Sequence, residues 1–123
     1  MKASPLRTVA LIVLPTFYNA DAHGRKERVE SEKFTKTMEE IAEHFGGGVL
    51  WRFDREVPTG YWWDRGVLYV DELAAIEVDI PLGRQPRAWL VEYAKTTLLH
   101  RFRQEAIYVK FIRSIEVETV VAD

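Results

Sequence analysis

Residues 59–81 decide the fold, and they read TGYWWDRGVLYVDELAAIEVDIP. Turn residues at 58–60 precede two adjacent tryptophans, and Asp64-Arg65-Gly66 interrupts the stretch, so we predict an extended hairpin arm over residues 61–72. From residue 74 to residue 80 apolar and acidic residues alternate, which is typical of a strand with one buried face.

The N-terminal half supplies a strand and a helix. Residues 8–14 read TVALIVL, an unbroken β-rich apolar run that suits a central strand covered on both faces. Ser31 is a candidate N-cap for the following helix. Gly46-Gly47-Gly48 ends that helix, because glycine readily adopts the left-handed conformation at a helix stop. Its buried face repeats with helical spacing through Phe34, Met38, Ile41, Ala42 and Phe45.

The remaining segments complete the pattern. Residues 49–55 alternate and predict a strand. A second helix is expected from about Pro86 to Arg103, since proline is tolerated in a first turn. Residues 107–112 predict another strand, and residues 115–121 predict either its extension or a fifth strand. The buried stripe of the second helix comprises Val91, Ala94, Leu98 and Phe102, with Trp89, Tyr93 and His100 on roughly the opposite side.

The order of elements is therefore β-α-β-β-α-β within a single domain over residues 1–123. The simplest packing is α+β, a ferredoxin-like split-βαβ sandwich with an antiparallel sheet of four or five strands and two helices on one face. The first and third strands are central in that topology. An apolar central strand implies that the face without helices is also covered, and we predict a homodimer.

Three short motifs give the chain a family resemblance. They are Gly-Tyr-Trp at 60–62, Asp-Glu-Leu at 71–73 and Arg-Phe-Arg-Gln-Glu-Ala-Ile at 101–107. In this order the chain resembles an uncharacterised family of small bacterial ferredoxin-like proteins with Gly-x-Trp and Phe-x-Gln-Glu motifs, over roughly residues 8–112. The resemblance implies the fold and carries no established activity.

Composition excludes several classes of function. The chain has no cysteine, which excludes disulfides, thiolate metal sites and a thiol nucleophile, and this fits a cytoplasmic protein. A net charge of −2 gives no overall polycation. Lys2 and Arg7 precede the apolar run 9–14, but the run is short and ends at Pro15, so we interpret it as a strand and not as a signal peptide or a membrane span. No sequence motif calls for a cofactor.

The acids of the central stretch are candidate metal ligands. Asp71, Glu72, Glu77 and Asp79 lie on or next to one strand, and carboxylates are ligands for hard cations such as Mg²⁺. A small metal-dependent hydrolase or nuclease is therefore the alternative function, with His23 as base. Strand alternation explains the same acids as a solvated face, and we adopt that interpretation. The three histidines lack the spacing of a zinc site on a helix.

Residues 84–113 carry seven basic residues and two acidic ones, together with aromatic residues. Such a stretch could hold phosphates and stack on bases. Helical positions scatter these side chains around a cylinder, so nucleic-acid binding is not the favoured interpretation.

The tryptophan pair favours a binding function. Adjacent residues of an extended segment point to opposite faces, so one of Trp62 and Trp63 is expected to stand outside the core, where it would meet a ligand or partner. We predict a self-associating module that binds a small ligand or protein through an aromatic-rich surface, its catalytic residues unknown. The candidate ligand or interface residues are Tyr61, Trp62, Trp63, Trp89, Tyr93, His100, Arg101 and Arg103.

Overall fold

A computed structural model describes residues 6–53 and 55–123. In chain order its elements are β1 (Arg7–Pro15), α1 (Ser31–Phe45), β2 (Val49–Trp51), β3 (Thr59–Asp64), β4 (Val67–Pro81), α2 (Arg84–Tyr93), a π-helical turn (Ala94–Leu98), α3 (Leu99–Arg101) and β5 (Tyr108–Ile115).

The sheet is antiparallel, with strand order β2-β4-β1-β5. The two central strands are therefore the first and third of the predicted βαββαβ order, and the helices cover one face, which confirms the ferredoxin-like α+β fold. The fifth strand is β3, which pairs with the first half of β4, from Thr59 opposite Glu72 to Asp64 opposite Val67. The predicted hairpin arm thus exists, and Arg65 and Gly66 form its turn with positive φ angles.

The core lies between the sheet and the helices. Every second residue of β1 is buried, and the even-numbered residues from Ala74 to Ile80 in β4 are buried beside them. The other side of the core is formed by Phe34 and Ile41 of α1 and by Leu90, Leu98 and Phe102 of the second helical segment, which runs from α2 through α3. The remaining residues of β1 are half-buried, because no element of the described chain covers that face of the sheet.

The buried residues of the second helical segment differ from the predicted ones. Leu90 is completely buried, whereas Val91 is 47% exposed. Residues 90, 94, 98 and 102 are four positions apart, and in a helix of 3.6 residues per turn such a series does not stay on one face. The π-helical turn is wider, so it realigns these positions on one face. The prediction assumed a regular rotation of 100° per residue, which takes no account of the π-helical turn. It therefore placed Val91 on the buried face.

Other boundaries also differ from the prediction. Ser31 is the first residue of α1 and not its cap, and its hydroxyl accepts a hydrogen bond from Arg52 instead. The helix predicted from Pro86 begins two residues earlier, at Arg84. Strand β2 ends at Trp51, while position 54 of the predicted 49–55 strand lies outside the described residues, as does Lys2. Strand β5 extends to Ile115, and residues 116–121 form no strand, because the described sheet offers them no pairing partner.

The buried face of α2 can be tested by truncation. We expect Leu90→Ala to lower the free energy of unfolding by about 2–5 kcal/mol, because it removes fully buried methyl groups and leaves a cavity. Val91→Ala, its neighbour on the exposed side, should change it by less than about 1 kcal/mol. Urea titration monitored by circular dichroism measures both values, and equal costs would contradict the assigned face.

Candidate functional site

The hairpin arm presents two different faces. Antiparallel pairing places Trp62 opposite Tyr69 and Trp63 opposite Leu68, and adjacent residues point to opposite sides. Trp62 is half-buried, with its ring centroid 5.7 Å from that of Tyr108 in β5. Trp63 is 73% exposed on the other side of the arm, and Tyr61 beside it is 65% exposed. One tryptophan therefore contacts the body of the protein while its neighbour faces outward.

Gly60 is required by the position of Trp62. A Cβ atom at Gly60 would lie 2.7 Å from Leu73 Cδ1 and 2.8 Å from Trp62 Cζ2. Residues i and i+2 of a strand share a face, so the indole covers the glycine in its own strand. The spacing Gly-x-Trp thus has a steric cause, since a side chain at residue 60 would displace the ring.

The arm forms one wall of a cavity of about 950 Å³, which we call the arm cleft. The opposite wall comes from the segment after β1 and from residues 104–106, which lead into β5. Two of the motifs on which the family resemblance is based therefore line the same cleft. Trp62 lies on one wall, and Gln104 and Glu105 lie on the other. The cleft is lined by Pro15, Phe17, Tyr18, Asn19, Ala20, Lys26, Thr59, Trp62, Asp64, Tyr69, Val70, Asp71, Glu72, Gln104, Glu105 and Ala106.

Two aromatic rings of this lining already hold cations of the protein. The Arg28 guanidinium lies 4.8 Å from the centre of the Phe17 ring. The Arg103 guanidinium lies 4.4 Å from the centre of the Tyr18 ring, and Lys33 Nζ lies 4.9 Å from the same point. These distances are those of cation–π contacts, so Arg103 stacks on a ring of the cleft lining, although it does not itself line the cleft.

Tyr18 is held in place by a short polar chain. Its hydroxyl donates to the Glu30 carboxylate and accepts a hydrogen bond from Lys33. The Tyr18 hydrogen bond lowers the pKa of Glu30 to about 2, assisted by the Glu30 backbone amide and by Lys33. The Glu30 carboxylate and Lys33 thus hold in place the ring that stacks on Arg103.

Arg101, the last residue of α3, links the second helical segment to α1. Its Nη1 lies 2.8 Å from Glu40 Oε1, and it donates to Thr37 Oγ1 at 2.9 Å. The Tyr93 hydroxyl donates to the same Glu40 oxygen at 2.6 Å. Burial raises the pKa of the Tyr93 phenol, and its bond to Glu40 raises it further. Arg101, Tyr93, Glu40 and Thr37 thus form a hydrogen-bonded cluster between the helices, which we call the clamp.

Trp89 is also used within the fold. Its indole stacks on His44 with a centroid distance of 3.6 Å and an interplanar angle of 7°. Its other neighbour is Tyr93, at 5.1 Å and 9°. Phe45 meets the same indole edge-on. This aromatic stack joins the end of α1 to α2, so Trp89 and Tyr93 contribute to packing between helices and not to the aromatic surface of the arm.

A second, open depression of about 980 Å³ lies between α1 and the π-helical turn. Its lining includes Lys33, Lys36, His100, Arg101 and Arg103. Lys33 is paired with Glu30 and Arg101 with Glu40, so two of these cations are neutralised locally. The predicted residues His100, Arg101 and Arg103 therefore share this depression, apart from the arm.

The basic residues of the 84–113 stretch lie on several different surfaces. Arg87 covers the ring of Phe111, Lys110 lies over Tyr108, and Arg103 stacks on Tyr18. Tyr108 and Phe111 lie on opposite faces of β5, and Tyr18 lies in the loop after β1, so these three cations do not share one track. Arg84, Arg87 and Arg113 do line one cavity of about 300 Å³.

The candidate metal ligands do not form a cluster. Asp71 and Glu72 point to opposite sides of β4, and Asp71 and Glu77 are separated by roughly 20 Å of extended strand. Within residues 6–53 and 55–123, no group of three His, Asp or Glu side chains is placed to hold a metal ion. His23 lies in an exposed turn whose backbone amide is capped by Asp21, far along the chain from the four acids.

Sequence reasoning missed several residues of the cleft and the clamp. Tyr18 lies in the loop after β1, Lys33 and Glu40 lie in α1 and Tyr69 lies in β4, and none of them belongs to a recognised motif. Glu105 lies within the motif at 101–107 but had no predicted role in a site. Adjacent aromatic residues at 17–18, in a polar loop, were an available signal, because loops often carry binding residues.

A comparison of the chain with protein-family models found no match, and comparisons with curated proteins and with solved structures found none either. The family resemblance stays a prediction, as does the cytoplasmic location. In the part of the chain that the structure describes, no helix has the length and apolar character needed to cross a membrane. Any assignment of function therefore depends on the geometry of the surfaces.

The clamp predicts a pH-dependent contribution to stability. The hydrogen bond from Arg101 lowers the pKa of Glu40 below its ordinary value of 4.5, and the Tyr93 bond lowers it further. A carboxyl with a lowered folded-state pKa stabilises the fold above its unfolded pKa, and this contribution is lost as the pH falls through the folded pKa. We expect Glu40→Gln to cost about 1 kcal/mol at pH 7, with the cost shrinking below pH 4.5.

Denaturant titrations at several pH values measure this difference. The matched control is Glu39→Gln, an exposed neighbour on α1 that makes no ion pair within the described chain. A cost for Glu40→Gln that does not change with pH would contradict the role of the carboxylate charge.

Proposed function

We propose that this protein is a self-associating binding module, in which a second copy covers the sheet face opposite the helices and the aromatic arm binds a ligand. The observation that carries the proposal is the apolar character of that sheet face, which we call the open face. Its residues follow from strand register: Val9, Leu11, Val13, Val49, Trp51, Leu73, Ala75, Glu77, Asp79, Tyr108, Lys110 and Ile112.

The open face is too apolar for an ordinary solvated surface. Trp51 is 45% exposed, Tyr108 is 51% exposed and Ile112 is 48% exposed. An antiparallel sheet with one solvated face normally alternates apolar and polar residues, but β1 places Val9, Leu11 and Val13 outward. Contiguous apolar surface of this kind marks an interface.

Its charges favour a second copy as the occupant. Leu11 lies in register with Glu77 of β4 on one side and with Lys110 of β5 on the other. A two-fold axis parallel to β1 above Leu11 would bring Glu77 of each copy opposite Lys110 of the other. The face is thus self-complementary, as a symmetric dimer interface requires. It has two ion pairs around an apolar centre.

The neighbouring row has complementary shapes under the same axis. Val13 lies between Ala75 and Tyr108, so the tyrosine of one copy would cover the alanine of the other. The third row contains Asp79 and Ile112 at the far end of the sheet, in the rim where interfaces are commonly polar. Large side chains therefore meet small ones near the axis, and the exposed acid lies at the periphery.

The arm supplies the aromatic binding surface of the proposed module. An isolated two-stranded hairpin is marginally stable in water, so an arm of this length is expected to gain contacts when it functions. Tyr61, Trp63 and Leu68 are exposed on one side of it, and the arm cleft opens on the other. Both sides offer aromatic area of the kind enriched in binding sites.

Charge reversal tests the dimer. We expect Lys110→Glu or Glu77→Lys to raise the dimer dissociation constant about tenfold or more, because each change places two pairs of like charges together across the symmetric interface. The double variant restores both pairs with reversed sign and should recover most of the affinity. Sedimentation velocity over a dilution series measures all three constants.

Lys95→Glu is the matched control, since Lys95 is exposed on the π-helical turn away from the open face. A wild-type chain that is monomeric at every concentration would overturn self-association. A dimer that tolerates both single charge reversals would overturn the proposed axis.

A further inference from the structure

We infer that the arm cleft binds an organic cation, specifically a linear amine that carries two or more ammonium groups. This inference rests on the proposed function insofar as it names the ligand class of the aromatic arm, and it can fail independently of self-association.

The floor of the cleft is an aromatic pair flanked by carboxylates. Trp62 and Tyr69 are directly opposite each other on the inner face of the arm. On the same face, Asp64 lies two residues further along β3 and Asp71 two residues further along β4. The two acids therefore lie beyond opposite ends of the aromatic pair, about 13 Å apart at ~3.3 Å per strand residue.

The cleft is strongly acidic. The carboxylates that line it are Asp64, Asp71, Glu72 and Glu105, and Lys26 is its one basic lining residue within the described chain. None of the four acids forms an ion pair with a described lysine or arginine. Arg28, Lys33 and Arg103 lie against the rings of the far wall. The uncompensated negative charge is therefore on the arm side, at Asp64 and Asp71, where a cation would neutralise it and an anion would be repelled.

The rings of the arm have no cation of the described protein against them, and this favours a cationic ligand over a neutral one. Phe17 and Tyr18, on the far wall, each hold a cation of the protein itself. Trp62 and Tyr69 hold none from any described residue, although indole is the best cation–π acceptor among the side chains. The cleft thus combines ring faces without a cation and carboxylates without a partner, which are the two elements that recognise ammonium groups.

Shape supports a linear ligand. A volume of about 950 Å³ is within the range of small-molecule sites, and the acids are spread along the arm and do not surround one point. A single compact cation would satisfy one carboxylate. A flexible chain with several ammonium groups could lie over the indole and reach carboxylates at both ends.

Calorimetric titration with spermidine tests the inference on the full chain. We expect saturable binding that weakens as salt rises, because the contacts are ionic. Trp62→Leu and, separately, Asp71→Asn should each weaken binding about tenfold or more, through loss of the cation–π contact and of an ion pair. A neutral diol of the same length should not bind, and binding of the diol as tightly as spermidine would overturn the cation assignment.

Glu39→Gln provides the matched control for Asp71→Asn, since it removes one carboxylate charge from the exposed side of α1, outside the cleft lining, and should change the affinity by less than about twofold. Asp71→Asn keeps the inference testable if Trp62→Leu fails to fold, because its side chain is polar and only partly buried. Absence of spermidine binding, or losses in Trp62→Leu and Asp71→Asn no greater than the loss in Glu39→Gln, would overturn the site.

Sedimentation of the same samples separates the two proposals. A dimer that binds no amine overturns only the ligand class, and a monomer that binds amine overturns only self-association.

Discussion

Strand β4 is the constraint on which the rest of the structure depends. Its second half pairs with β1 over nine residues, from Leu73 opposite Pro15 to Pro81 opposite Arg7, and its first half pairs with β3. Because one continuous strand serves both pairings, the buried register of the sheet also fixes which side chains of the arm face inward. A one-residue slip would exchange the faces of Trp62 and Trp63 as well as the core residues of β4.

This continuity connects the two surfaces proposed for binding. The odd-numbered residues of β4 run from Val67, Tyr69 and Asp71 on the arm to Leu73, Ala75 and Glu77 on the open face. The contact between Trp62 and Tyr108 lies at their junction. A dimer formed through the open face would therefore place Tyr108 next to a partner, while the indole that packs on it forms the floor of the cleft. Self-association and ligand binding are then neighbours along one strand face.

The helical side of the molecule has the opposite character, because its conspicuous side chains are engaged within the fold. Arg101, Glu40 and Tyr93 bond to one another, and Trp89 stacks between His44 and Tyr93. These groups link α1 to α2 across the layer. Residues that resemble binding groups in sequence thus stabilise the packing of the helices, while surfaces without a recognised chemical motif are left open.

The sequence by itself determined the order of elements, the arm and the buried face of β4, because alternation and helical spacing are local properties that burial imposes on the chain. It also required one tryptophan of the pair to face outward. The tertiary structure alone decided that Leu90 and not Val91 is buried, since a π-helical turn breaks the regular period, and that β5 ends at Ile115. It alone placed Trp62 and Glu105 on facing walls of one cleft and Arg101 beside Glu40, because the arrangement of distant residues depends on pairing and packing energies of the whole chain, which no local pattern contains.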